Sequence, residues 1–598
     1  MGPVRRRAML WAGTLVLSLG VTRTVIALPE RCGTATPAVL TESATEAVDW
    51  FARNQSPDGT WRYRTDVSTG RDLGGYNWVR HAGVLFSLEQ AAGVEIAGAQ
   101  DVAERGEASL RQRFVAIGDT TAVDDNGVVT TGGTALTLVA LTERAVNVRS
   151  GVADASVAPD PVELRSLARF LVGRTTERGS VLEVTDRATG VSDPTVTSPF
   201  ATGQVMFALA RMELLYPGEG WGEPVRHIAR YLATERADAE GFVPDASDHW
   251  AAYAMATVSQ WPNGALTSDE LSFGRRQMGI GSVQVRFESH KTNGGIDRWL
   301  RGRTSLGSGV GTLGELLGAW EQVAVAEPAL ASTARAIDER LQCLAGVLVD
   351  RQVSATEAAA YPDPSVARGA WLQFGITQMD DQQHTLSALI LANRTSADVD
   401  QLPRRSAVPS STWLLAIAVV AALNPMRIMR RSRVNAVPVG AVGAGGALGA
   451  VVFGAVAAVG GPVIRALDVS RGNAVIAAGL ALAIAGLVSV FERFDGDRWA
   501  TGAVLPGKAA ALMPVLIPWV LRPEVVIVAI AAGAGGKGWI VFATALAAVA
   551  LAAIVALLGP SGPLPPASDA LATWLQRLLV FATIATGVAI VIDGFYAI

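Results

Sequence analysis

The sequence predicts an all-α chain: an (α/α)6 toroid followed by a polytopic domain of six transmembrane helices. Three observations carry this. The charge content changes near residue 410, from about 21% charged residues before it to about 10% over residues 411–598. Ahead of that change, helical patterns come in six pairs spaced about 60 residues apart, too irregular for a short solenoid repeat. Within the pairs, amphipathic first members alternate with second members that are apolar on nearly every side, as an outer and an inner ring require. Half of the 598 residues are apolar and the net charge is −4, which leaves no footprint for nucleic acid.

The chain opens with "MGPVRRRAMLWAGTLVLSLGV", three arginines ahead of an apolar run. Residues 1–32 are therefore expected to be a signal peptide or an N-terminal membrane anchor. Residues 33–402 follow as the toroid, 403–410 as a linker and 411–598 as the membrane domain. Only two cysteines occur, Cys32 and Cys343. In an exported domain they suggest one disulfide; the other reading is two unrelated thiols.

The six pairs are 41–53 with 78–94, 103–115 with 132–147, 161–173 with 200–216, 222–236 with 249–260, 268–279 with 309–327, and 329–351 with 381–393. In the first, "ESATEAVDWFARNQ" places Ala44, Val48, Phe51 and Ala52 on one helical face. "NQSPDGTW", residues 54–61, then stops that helix at Pro57, Asp58 and Gly59, and Trp61 follows as an aromatic plug. "RTTERGSV" at 174–181 is an eroded version. The stretch resembles the Q-x-x-D-G-x-W turn of terpene-cyclase-like and six-hairpin glycosidase-like toroids. That resemblance implies a structural turn stapling an outer helix to its neighbour.

In a toroid the inner helices all point one way, so their N-terminal ends gather at one mouth. Those ends read "GGYNWVRHAG", "TGGTAL", "SPFATGQ", "DHWAAY", "GSGVGTLGEL" and "MDDQQHTLSAL". Three of the five histidines fall there: His81, His249 and His384. With Tyr76, Asp248, Glu315, Asp380 and Asp381 they form the candidate catalytic set; Asn77, Arg80, Trp250 and Gln383 are candidates for binding substrate. Polar residues at helix starts also serve as caps, and Asp248 or Asp380 could do only that. Six helix N-termini plus Arg80 would favour an anionic ligand such as a uronic acid, a phosphorylated glycan or a lipid phosphate.

Three chemistries stay open. A glycosidase needs two carboxylates across a cleft, from Asp248, Glu315, Asp380 and Asp381. A lyase or epimerase would use Tyr76, His81 or His249 as base, with Arg80 neutralising a sugar carboxylate. A metal could sit between His249, His384 and an aspartate, but no tight ligand spacing supports it, so neither metal nor cofactor is expected.

The membrane domain reads as six apolar segments, at about 411–429, 435–460, 473–491, 509–533, 538–558 and 571–594, most approaching the ~20 residues that cross a bilayer. "MRIMRRSRVN" after the first is the densest basic loop and is expected in the cytoplasm. That puts residues 33–410 outside and makes the chain a multi-pass protein of the cell's inner membrane. The first segment is broken at Asn424 and Pro425. The fourth carries Pro514, Pro518 and Pro523 with Arg522 and Glu524 inside it. Proline breaks survive in lipid only where protein or a wet cavity satisfies the freed backbone. Interrupted helices heading two three-helix halves fit a transporter with inverted repeats.

"LNP" at 423–425, "AVIAAGLALAIAGLVSVF" at 474–491, "LMPVLIPWVLRPE" at 512–524 and the closing "GVAIVIDGFYAI" resemble the MarC/LysE-type transporter superfamily. The resemblance covers about 180 residues and implies transport roles for Asn424, Pro425, Arg522 and Glu524. The charged pair departs from the glycine-rich stretch expected there. Arg522 and Glu524 could instead pair with each other, or snorkel in a plain anchor. The combined expectation is an envelope protein whose toroid binds or processes an anionic glycan or glycolipid, as a hydrolase, lyase or epimerase, beside a transporter-like domain in the lipid bilayer. The alternative is a non-catalytic scaffold or cap regulating an exporter.

Overall fold

A computed structural model describes residues 30–292, 294–295, 298–299, 302–304, 308–395, 412–467, 469, 471–491, 507–558 and 565–596. Most of the N-terminal segment and the whole 403–410 linker lie outside the described residues. The chain separates into two compact units, one of residues 30–404 and one containing residues 405–598.

Twelve long helices make the first unit: α1 (Pro37–Asn54), α2 (Trp78–Gly93), α3 (Ala99–Arg111), α4 (Thr131–Arg149), α5 (Pro161–Val172), α6 (Ala201–Leu215), α7 (Gly222–Thr234), α8 (His249–Val258), α9 (Ser268–Ser289), α10 (Ser308–Ala326), α11 (Ala331–Arg351) and α12 (Met379–Thr395). The even-numbered helices pack in a closed cycle: α2 on α4, α4 on α6, α6 on α8, α8 on α10, α10 on α12, and α12 back on α2. The odd-numbered helices lie against them from outside. This is an (α/α)6 toroid. Burial follows the expected alternation: α4 and α6 bury nearly every side chain, whereas α7 buries one stripe containing Val225, Ile228, Ala229 and Leu232.

Among the described residues seven short strands, unforeseen by an all-helical reading, edge the loops. Arg71–Asp72 (β2), Arg64–Asp66 (β1) and Ile376–Gln378 (β7) form one antiparallel sheet. Phe114–Ile117 (β3), Thr120–Asp125 (β4), Val128–Thr130 (β5) and Val184–Thr185 (β6) form the other. At two to six residues each, they are too short to leave a period-2 pattern.

The "NQSPDGTW" turn works as a staple. Gln55 and Trp61 pair across it, and Gln55 Nε2 donates to the Val102 carbonyl of α3 at 3.0 Å. Gly59 has φ +85°, and a Cβ there would stand 2.2 Å from the Arg105 carbonyl, so only glycine allows the approach. Trp61 is buried against Phe51 and His81. The eroded copy behaves alike: Thr175 pairs with Val181, and Gly179, at φ +99°, packs on His227 and Tyr231 of α7.

Cys32 and Cys343 form a disulfide across 311 residues of sequence, tying the start of this unit to α11 and fitting an oxidising compartment. Reduction, or Cys343→Ser, is expected to lower the toroid's stability by about 3–5 kcal/mol, because a very long loop is released in the unfolded chain. Tryptophan fluorescence during denaturant unfolding, with and without reductant, measures this.

The second unit holds α13 (Thr412–Leu423), α14 (Pro425–Val434), α15 (Val439–Ala458), α16 (Gly460–Ala466), α17 (Arg471–Phe491), α18 (Pro523–Ala534), α19 (Gly538–Leu558) and α20 (Pro566–Tyr596). Among the described residues five stretches are long and apolar enough to cross a membrane: 412–434, 439–458, 471–490, 538–557 and 566–592. The fourth of the six apolar segments differs. It comprises an irregular helical stretch, Leu512–Val520, with extended backbone at Met513 and Ile517, and then the short α18. Three prolines in ten residues account for the break. The packing has an internal correspondence between segments one to three and four to six. α15 packs on α19 and α17 on α20; the contact of α13 with α20 is matched by α18 with α17, and α13 with α19 by α18 with α15.

Candidate active site

A cavity of about 610 Å³ opens at the mouth where the inner helices begin. Each of the six contributes from its first turns or its cap: Arg80 of α2, Leu136 of α4, Gln204 of α6, His249 of α8, Thr312 of α10 and His384 of α12 among them. The common direction of the inner ring is what brings residues more than 300 positions apart to one place.

The ionisable centre is built in layers. His249 and His384 line the cavity with ring centroids 5.0 Å apart and edges meeting faces. Beneath them lies Glu315, wholly buried. Its Oε2 accepts from His384 Nδ1 at 2.5 Å and stands 3.6 Å from His249 Nε2. Tyr253 donates its hydroxyl to the other oxygen at 3.3 Å. Asp380 Oδ1 is 3.6 Å from His384 Nε2, and its Oδ2 is 3.2 Å from Arg80 Nε. Trp250 packs against both imidazoles, 4.5 Å from the His249 ring and 6.0 Å from that of His384.

This arrangement separates the two imidazoles electrically. Burial opposes charging of His384, but the carboxylates of Glu315 and Asp380 outweigh it and hold the imidazolium up to about 10. Burial, then the neighbouring His384 cation, pushes His249 well below its ordinary value, so it stays neutral. Both ring nitrogens of His249 are shielded from solvent, with the Ser247 backbone and Glu315 Oε2, 3.6 Å from Nε2, as their nearest polar neighbours. Burial raises Glu315, offset by His384. Burial also works to raise Asp380, but His384 and Arg80 overcome it and leave it below the usual carboxylate range. A neutral imidazole beside an imidazolium is a base next to an acid.

Other sequence candidates are placed elsewhere. Tyr76 and His81 do not line the cavity: Tyr76 Oη bonds His81 Nδ1 at 2.7 Å, and His81 Nε2 meets the Gly106 carbonyl at 2.9 Å. Packed 4.8 Å from both Trp61 and Trp78, His81 fastens α2 to α3. Asp248 is also off the cavity, fully buried and paired with Arg236 at 2.5 Å. Its Oδ1 accepts from Ala251 N, capping α8. Asp381 is buried and does not line the cavity. Asn77, Arg80, Trp250 and Gln383 do line it. Arg80 is not the free cation the sequence implied, because Asp380 and the Tyr63 hydroxyl hold it.

Glu183, Gln204 and Phe200 line the cavity too, and sequence reasoning passed over Glu183. One signal was available. Tyr63, which holds Arg80, follows the last residue of the first turn by two positions, and Glu183 follows Val181 of the eroded turn by the same two.

The donors of His249, Glu315 and His384 all lie within 4.8 Å of one another and are of types that hold divalent metals. The 2.5 Å contact between His384 and Glu315 is a charged hydrogen bond, which a metal would have to break. Cys32 and Cys343, near Glu30, are consumed by the disulfide.

In the second unit the two breaks meet. Asn424, at φ +51°, caps α14 through Arg427 N at 3.1 Å and donates to the Gln576 carbonyl at 3.0 Å. Pro425 begins α14. Arg522 donates to the Ala422 carbonyl, just before the first break, and pairs with Glu524 at 2.8 Å. The freed carbonyl and the buried carboxylate thus satisfy one guanidinium.

No family profile matches the sequence, and no curated protein matches it. Among solved structures the chain is similar to a D-mannose isomerase (13% identity, 60% of this chain and 97% of that one, TM-score 0.40). It is also similar to a GH76 α-mannanase of Bacteroides thetaiotaomicron (7%, 60% and 98%, 0.42) and to cellobiose 2-epimerase of Spirochaeta thermophila (14%, 61% and 97%, 0.43). All three are named for carbohydrate reactions. At these scores the likeness carries no chemistry from those enzymes to this chain.

Proposed function

We propose that the toroid moves a proton at a carbon beside a carbonyl of a sugar unit, the step shared by epimerisation, isomerisation and β-elimination. One observation supports it above the rest: His249, held neutral by burial, lines the same cavity as the His384 cation. His249 takes the proton as the C–H bond breaks. The electron pair moves onto the carbonyl oxygen, and His384 donates a hydrogen bond or a proton there. Return of the proton to carbon completes an exchange. Glu315 and Asp380 keep His384 charged, and Arg80 holds Asp380.

The substrate is a glycan or sugar of the cell envelope, handled outside an inner membrane that the second unit spans. With Arg80 neutralised by Asp380, any preference for an acidic glycan or glycolipid rests on the helix N-termini and the His384 cation. The matched breaks and corresponding halves favour a transporter-like role for the second unit, with Asn424, Pro425, Arg522 and Glu524 at its centre.

The test uses the full chain in detergent and deuterium oxide, with D-mannose, cellobiose, α-1,6-mannotriose and a uronic-acid disaccharide. The expected result is deuterium at the carbon beside the carbonyl in at least one, lost in His249→Gln. Exchange by none of them, with envelope phenotypes unchanged in cells carrying His249→Gln, supports the scaffold alternative instead.

A further inference from the structure

Beside His249, and across the ring from His384, the cavity has a second polar wall, which the proton transfer does not use. In the closed order α6 stands beside α8 and opposite α12, and the Phe200 ring lies 6.1 Å from that of His249. On that side the lining comes from Gln204 in the first turn of α6, Phe200 just ahead of it, and Glu183 on the segment entering β6.

Glu183 is positioned by its backbone. Its carbonyl accepts from Thr131 N at 2.8 Å, and β6 pairs with β5 immediately after it. Its carboxyl lies over Gly132, whose N–H supports it. A Cβ at Gly132 would sit 3.4 Å from Glu183 Oε1 and 2.5 Å from Gln204 Oε1, so glycine makes room for both side chains. Glu183 Oε2 is shielded from solvent with no hydrogen-bond partner among the described residues. Burial pushes the carboxyl up to about 7, against the Gly132 N–H. Phe200, 36% exposed, offers an aromatic face at the same place.

We propose that Glu183, Gln204 and Phe200 form a second saccharide subsite, so that the substrate is an oligosaccharide with its reacting unit at His249 and its neighbouring ring on this wall. The assignment rests on the sugar reading above. A carboxyl and a primary amide side by side supply paired donors and acceptors for vicinal hydroxyls, and an aromatic ring covers the apolar face of a sugar. The cavity volume is in the range that takes ligands larger than one ring. Among the described residues this wall presents a carboxyl and an amide, which suit a neutral ring.

The experiment measures binding of D-mannose and α-1,6-mannotriose to the full chain in detergent by titration calorimetry. The native chain should bind the trisaccharide about tenfold more tightly, the order of one or two added hydrogen bonds. Glu183→Ala and Phe200→Ala should bring that ratio toward one, and Glu183→Gln should keep most of it. A ratio near one in the native chain, or one that both alanine variants leave intact, overturns the subsite. Phe200, being partly exposed, decides the matter if Glu183→Ala does not fold. His249→Gln separates the two claims: it should lose deuterium exchange yet keep the binding ratio.

Discussion

His249→Gln is expected to lower the rate of deuterium exchange into a sugar substrate by about 10²–10⁴-fold, the usual share of a positioned general base. Binding should change little, since glutamine keeps a polar group against Trp250 and Glu315. The pH profile follows from the two shifts. On the acid side the rate falls only where His249 takes up a proton, well below its ordinary value because burial disfavours the cation. On the alkaline side it falls as His384 loses its proton near about 10, the value to which Glu315 and Asp380 hold it. Between those limits the profile should be flat. His384→Gln should remove the alkaline limb and lower the rate across the plateau, because the developing oxyanion then loses its cation.

Asp248→Ala should destabilise the toroid by about 3–5 kcal/mol, the scale for removing one partner of a buried ion pair. Asp248 and Arg236 both have side chains at 0% exposure, 2.5 Å apart. Without the carboxylate, Arg236 keeps Glu240 at 3.1 Å but loses its innermost partner, and α8 loses its cap. Asp248→Asn retains the cap and should cost less. Denaturant unfolding followed by tryptophan fluorescence gives both numbers. Deuterium exchange measured on the folded fraction should survive Asp248→Asn, because the residue sits behind the cavity. Its neighbour in sequence, His249, lines the cavity.

That adjacent pair shows what the sequence could and could not display. The ring itself was legible, because "GGTALTLVALTERA" is apolar all round while "PVRHIARYLA" is not, and only an inner and an outer layer make sense of that. The mouth was legible for the same reason, since inner helices share one direction. Which first-turn side chains reach the cavity was not. Asp248 is the non-helical cap and His249 the first helical residue of α8, and His81 and Arg80, about 100° apart around α2, divide likewise, one into a tryptophan cluster and one into the cavity. Glu183 escaped because its loop is placed by β5–β6 pairing, invisible in strands of two or three residues. Glu315 was placed at the mouth by its helix, yet its role as the carboxylate beneath both imidazoles comes from the packing of α8, α10 and α12 together. In the second unit the proline-rich fourth segment announced a break, whereas the contact of Arg522 with the first break needed coordinates.

The account depends on two imidazoles in one cavity holding different charge at neutral pH. With five histidines in the chain, ¹³C-histidine NMR of the full protein in detergent can follow each ring through a titration from pH 4.5 to 10. The account predicts that His384 stays protonated past pH 8 and that His249 stays neutral well below the pH at which a free imidazole titrates, the two signals being assigned by His384→Gln and His249→Gln. Both rings titrating together near 6.5 would contradict it, for then neither the buried carboxylate nor the dry cavity would be shaping a base and an acid.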